Sequence, residues 1–197
     1  MNIKIAKTLL TLSIIYIVGF YVIKFIFPDF LLLQITDPNV LSLGRFIESN
    51  EIFLRIYYCL STFLTLYLFV CASRGNFKLN WKELIYLLVA TIINELVTTF
   101  LPDLMVQTST SLMLILPLLC KGKLFYTVVS FVIHGYLSQF LFSIRGFETV
   151  IMNINIASGF ILSLECYAWL VLLALLFYLK ENKKYGTHST TIPKQNG

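Results

Sequence analysis

The chain has 197 residues, the length of one domain, with 58% hydrophobic and only 13% charged residues, and its mean hydropathy of +0.82 lies far from the soluble average. Fifteen Lys and Arg against ten Asp and Glu give a formal charge of +5, but the basic residues sit in short gaps between apolar runs, where they act as topology signals and not as a nucleic-acid footprint. This composition argues against a nucleic-acid partner and makes the lipid bilayer the first partner.

Lys4 and Lys7 precede an apolar run as they would in a signal peptide. No small-residue cleavage site follows, and Lys24, Phe25 and Phe27 stand in its place, so an uncleaved first helix is expected. A hydrocarbon core of roughly 30 Å requires about 20 apolar residues per helix. Six segments qualify, near 8–27, 52–73, 83–101, 103–120, 124–144 and 157–179. The predicted fold class is therefore all-α, a polytopic transmembrane bundle of six helices over residues 1–180, with both termini cytosolic and a disordered cytosolic tail over 181–197. The fourth segment is the least apolar, because Gln107 to Ser111 are polar and Pro117 interrupts its second half, so a bent helix is expected. Between the first two spans lies the longest loop, 28–51. Its stretch 30–35 is too short to cross, whereas Asp37-Pro38-Asn39 reads as a helix start ahead of Leu41, Leu43, Phe46 and Ile47, which predicts an interfacial helix or lid.

The positive-inside rule orients these spans. Lys4, Lys7, Arg74, Lys78, Lys82, Lys121, Lys123, Lys180, Lys183, Lys184 and Lys194 fall on one side, against only Arg45 and Arg145 in the opposite loops. The expected location is a plasma membrane, most consistent with a bacterial inner membrane.

With that topology the intramembrane polar residues crowd into the outer half. Glu95 and Glu165 lie on the order of 10 Å below the outer surface, in company with Lys24, Arg55, Asn94, Thr98, Thr99, Gln139, Asn153 and Asn155. The inner half, 84–89, 112–119 and 170–179, is nearly pure hydrocarbon, which leaves no room for a continuous pore. Helical spacing gathers Glu95, Thr98 and Thr99 on one face, and Arg55, Cys59 and Thr62 on another. Thr127, Ser130, His134 and Ser138 form a third stripe, and Asn155, Ser158 and Glu165 a fourth. These stripes should face inward. A charge in hydrocarbon needs a partner or water, so each intramembrane ionisable residue is a functional-site hypothesis. The candidate ligand-binding residues are Glu95, Glu165, His134, Arg55, Asn94, Gln139 and Asn155, forming one outward-facing pocket for a small polar or zwitterionic solute beneath the 28–51 loop. The competing reading is structural: internal ion pairs and hydroxyl bonds between helices, typically worth about 0.6 kcal/mol each. His134 taken alone reads first as a satisfied interior histidine, and Lys24 and Arg55 lie near enough to the interface to snorkel.

No P-loop, GxGxxG, HExxH or GxSxG pattern occurs. Cys59, Cys71, Cys120 and Cys166 lack metal or disulfide spacing. No catalytic residue, metal or cofactor is assigned. In size, helix number and cytosolic termini the chain resembles the substrate-binding subunits of energy-coupling factor vitamin transporters. That resemblance implies a solute site in the outer half beneath the first outer loop and an energy-coupling membrane partner. The chain departs from them in its nine glycines, and in having Thr8, Thr11 and Gly19 where small-residue stripes dock the partner. The expected function is binding, or helping to transport, a small-molecule ligand. The alternatives are a membrane enzyme acting on a lipid or lipid-linked substrate, with Glu95 or Glu165 as general acid/base and His134 assisting, or a sensor or assembly protein whose intramembrane polar residues are purely structural.

Overall fold

Four of the helices begin where a short polar side chain satisfies the first free amides. In the computed structural model, which describes residues 1–27, 36–100, 110–111, 113–120, 122–144 and 156–188, every regular element is helical and no strand occurs among those residues. Asn2 caps α1 (Ile3–Ile26) by accepting the Lys4 amide at 2.9 Å. Asp37 accepts the Asn39 amide at 2.8 Å, with Pro38 in the first turn, and so opens α2 (Pro38–Ser49). The helix expected from the Asp37-Pro38-Asn39 signal is thus present. Asn50 ends α2 and starts α3 (Glu51–Arg74), its Oδ1 accepting the Ile52 and Phe53 amides at 3.2 and 3.3 Å. α4 (Trp81–Phe100) opens with a capping box: the Glu83 amide donates to Asn80 Oδ1 at 2.9 Å and the Asn80 amide to Glu83 Oε2 at 2.8 Å. Then come a helical stretch within 110–115, a 3-10 turn at Leu116–Leu118 around Pro117, α5 (Lys123–Ile144) and α6 (Ile156–His188).

α1 lies along α6, α6 along α3, and α3 along both α4 and α5, while α2 leans on α3 and α6. The core sits around α3, where Leu66, Phe69, Val70, Cys71 and Ala72 meet Leu87 and Ala90 of α4, Ile115, and Leu170 and Ala174 of α6. Small side chains at Cys71, Ala72 and Ala174 let the backbones approach closely. Large apolar residues such as Ile15, Val18, Leu88 and Ile133 face outward. Among the described residues Ile3–Lys24 and Glu51–Arg74 are long and apolar enough to cross a membrane, and Lys123–His134 is a shorter apolar helix.

One end of the bundle is tied by charge. Arg74 Nε donates to the Leu118 carbonyl at 2.7 Å and its Nη1 pairs with Glu83 at 2.8 Å. Lys123 Nζ donates to the Arg74 carbonyl at 2.8 Å and also pairs with Glu181. The Tyr178 hydroxyl donates to the Met1 carbonyl. The α3–α4 turn, the 3-10 turn and the start of α5 thereby meet the late turns of α6, which α1 also reaches.

Two sequence expectations change. The fourth segment is described only at 110–111 and 113–120, as a short helical stretch ending in a 3-10 turn; Pro117, which lacks an amide hydrogen, stands in that turn. Its polar part, Gln107 to Ser109, lies outside the described residues. Irregular chain was expected from Glu181, but α6 continues to His188, held by the Lys123–Glu181 pair and by Asn182 Nδ2 donating to the Tyr178 carbonyl at 2.8 Å. Residues 189–197 lie outside the described set.

Gly75 closes α3 with φ 62°, its amide and that of Asn76 donating to the Ala72 and Cys71 carbonyls at 3.2 Å each. A Cβ there would lie 2.6 Å from Phe177 Cβ. Gly75→Ala should therefore destabilise the detergent-solubilised protein, read as a lower melting temperature, by more than the about 1–2 kcal/mol that left-handed backbone alone costs. Gly19→Ala, inside α1 with nothing within 4 Å, should leave melting unchanged or raised. A wild-type melting temperature for Gly75→Ala would contradict the close α3–α6 approach.

Candidate functional site

The polar side chains of the outer half form two separate groups, not one. The first lines a pocket of about 600 Å³ bounded by Glu51, Leu54, Arg55, Tyr58 and Thr62 of α3 and by Asn94, Glu95 and Thr99 of α4. One face of α3 and one of α4 supply all of it, as spacings of three and four residues require. Thr62 Oγ1 donates to Glu95 Oε1 at 2.7 Å, which holds the carboxylate at the pocket wall. Arg55 Nη1 donates to Thr99 Oγ1 at 3.0 Å, and Thr99 Oγ1 donates to the Glu95 carbonyl at 2.9 Å. Its Nη2 meets Glu51 at 3.1 Å in an exposed pair one turn apart, which contributes little by itself. Asn94 is buried and its Oδ1 accepts from Ser111 Oγ at 2.7 Å. Among the described residues no cation lies within 4.0 Å of the Glu95 carboxylate.

The second group joins α1, α5 and α6. Lys24 Nζ meets Glu165 Oε1 at 2.6 Å, and both side chains are 3% exposed. Lys24 therefore turns inward instead of snorkelling, and its ammonium also lies 4.8 Å from the Phe20 ring centroid. His134 Nε2 stands 4.0 Å from the same carboxylate oxygen, with its ring 5.3 Å from Trp169 and 6.4 Å from Tyr21. Trp169 Nε1 donates to Ser130 Oγ at 2.9 Å. The Tyr21 hydroxyl and His134 Nε2 are buried with no hydrogen-bond partner among the described residues.

The structure thus brings Arg55, Asn94 and Glu95 together, and separately Glu165 and His134; neither of these two lines the pocket. The single pocket expected from equal depth divides because depth says nothing about direction, and α3 has α4 on one flank and α6 on another. The Gln139 side chain and Asn155 lie outside the described residues. The hydroxyl stripe of α5 does face inward at Thr127 and His134, both buried, and Thr127 Oγ1 returns its proton to the Lys123 carbonyl at 2.9 Å. Sequence reasoning passed over Tyr58, Tyr21 and the pocket role of Glu51, although Glu51 and Arg55 at i and i+4 carry a legible pairing signal.

No group of three or more His, Cys, Asp or Glu side chains among the described residues could hold a metal ion. No protein-family model matches the chain, and no curated protein or solved structure is significantly similar to it.

Breaking a buried ion pair strands one charge, whereas removing both charges does not. Lys24→Met alone and Glu165→Gln alone should each destabilise the protein by about 3–5 kcal/mol, and the double variant should recover most of that loss in thermal unfolding. A double variant as unstable as the sum of the two single changes would remove the pairing role.

Proposed function

We propose that the chain is a multi-pass protein of the plasma membrane, with six spans and both termini cytosolic, whose pocket between α3 and α4 binds a small polar or zwitterionic group from the outer side. The observation that carries this reading is the different state of the two acids. Glu165 is neutralised by Lys24 at 2.6 Å, while Glu95 lines an open pocket with a threonine hydroxyl, but no cation among the described residues, on its carboxylate. A carboxylate at that depth calls for a positive partner, and a ligand amine would supply it. Arg55 on the same wall offers a planar fork to a ligand phosphate or carboxylate.

The topology draws support from the bundle's ends. Arg74, Lys123, Glu181 and Met1 belong to the network at one end, which is the side where the basic loops cluster. Arg55, Glu95, Lys24 and Glu165 belong to the other. α6 at 33 residues extends roughly 50 Å, longer than a hydrocarbon core of about 30 Å, so its last turns reach the cytosolic interface where Glu181 meets Lys123. The sealed inner half and the lack of any nucleotide motif leave movement of a solute to a partner protein. The enzyme reading gains nothing from Glu165, whose carboxylate is occupied by Lys24.

Two measurements test this. In a cysteine-free background, a membrane-impermeant maleimide applied to intact cells should label Arg45→Cys and spare Lys78→Cys and Lys183→Cys; the reverse pattern would invert the topology. Among small zwitterions such as glycine, glycine betaine and phosphoethanolamine, at least one should raise the melting temperature saturably. Glu95→Gln should abolish the shift, and the paired Lys24→Met/Glu165→Gln change should keep it. No shift with any of them, nor with any larger ligand that carries such a zwitterionic head, would end the pocket reading.

A further inference from the structure

The pocket does not stop at its polar walls. A second chamber of about 470 Å³ shares Thr62 and Asn94 with it and continues between α3, α4, α5 and the 110–115 stretch. Beyond a polar rim that includes Ser111 and Thr65, this chamber is walled by Leu66, Phe69, Ile115, Val128, Phe131 and Val132. Both volumes fall in the usual range for ligand sites of roughly 300–1,000 Å³. The chemistry of the walls changes once, from charged to hydrocarbon, at the shared Thr62 and Asn94.

The direction of that change matters. Arg55 and Phe69 stand 14 positions apart on α3, or roughly 21 Å at about 1.5 Å per residue. Half of a hydrocarbon core of about 30 Å is roughly 15 Å. Along α3 the two neighbouring spaces together cover the span from Arg55 to Phe69, charged at the Arg55 end and apolar at the Phe69 end. A soluble zwitterion would leave the inner chamber with nothing to bury.

We infer that the ligand is a single-chain zwitterionic amphiphile of the outer leaflet, with its amine and phosphate head between Arg55 and Glu95 and its hydrocarbon chain in the Phe69–Val128–Phe131 chamber. This rests on the reading of the α3–α4 pocket as a binding site for a zwitterionic group. Glu51 and Glu95 outnumber Arg55 among the charged walls, which favours a head carrying an amine over a purely anionic one. One chamber of this size meets the pocket, and it takes one chain. The amphiphile would enter sideways from the membrane, and no aqueous path through the inner half is needed.

The test uses the full-length protein in detergent, with native mass spectrometry and thermal shift as readouts, and four probes: lysophosphatidylethanolamine, free phosphoethanolamine, a monoacylglycerol of the same chain length, and lysophosphatidylglycerol. Lysophosphatidylethanolamine should bind at least tenfold tighter than each of the other three. Glu95→Gln should weaken lysophosphatidylethanolamine and phosphoethanolamine alike. Val128→Trp, and the milder Val132→Phe should the first fail to fold, should weaken only the chain-bearing ligand, bringing it to the affinity of the free head. If the free head binds as tightly as the amphiphile and the chamber variants change nothing, the amphiphile is wrong while the polar pocket stands. Equal binding of the monoacylglycerol, indifferent to Glu95→Gln, would reduce the space to a non-selective lipid slot and overturn the inference. Absence of binding by both the head and the amphiphile would overturn the inference and the pocket reading together.

Discussion

A buried charge has to meet an opposite charge, a set of hydrogen bonds or water, and the arrangement of this bundle follows from how Lys24, Glu165, Arg55 and Glu95 meet that demand. Lys24 and Glu165 meet it with each other, 141 positions apart in sequence. Their bond ties the first helix to the last. α1 is otherwise mostly apolar and exposed, with Ile14, Ile15 and Val18 facing outward. The ion pair supplies a fixed register that the apolar side chains of α1 do not, and the Tyr178–Met1 hydrogen bond holds the other end of the same helix pair.

Because Lys24 is spent on Glu165, it is not available to Glu95. The pocket keeps its acid because the bundle has used its buried cation elsewhere, and because Arg55 is turned toward Thr99 and Glu51. Structural pairing accounts for Glu165, while Glu95 stands at the wall of the α3–α4 pocket. The charges at the other end serve a third purpose. Arg74 and Lys123 each donate to backbone carbonyls, of Leu118 and of Arg74 respectively, and so close the ends of helices there.

Helix boundaries were legible where polar caps border apolar runs, as at Asp37 and Asn50, and the inward direction of the Thr127–His134 stripe was legible from its spacing. Arg55, Asn94 and Glu95, singled out as polar residues within apolar runs, do line one pocket. What could not be read was the pairing. Periodicity tells which residues share a face of one helix, but not which helix that face meets, so two acids at one depth looked like one site. The neighbours of α6 are fixed by features with weak sequence signals, such as Ala174 and Ala72 allowing close packing, and Gly75 tucked against Phe177. The continuation of α6 past Glu181 was hidden for a similar reason: its polar composition resembles a loop, and its helical state depends on Lys123, 58 positions away.

The distribution of polarity along α3 constrains how such a protein could work. From Leu66 to Ser73 every residue but Tyr67 is buried, against Leu87 and Ala90 on one flank and Leu170 and Ala174 on another, and the polar groups there are turned back on the backbone, as Ser73 is to the Val70 carbonyl at 2.9 Å. Opening a polar route through that layer would separate buried apolar side chains with no charge to replace their contacts, whereas the pocket of Arg55 and Glu95 lies outside it. The packing of α3 therefore separates the polar pocket shared with α4 from the apolar layer beside it.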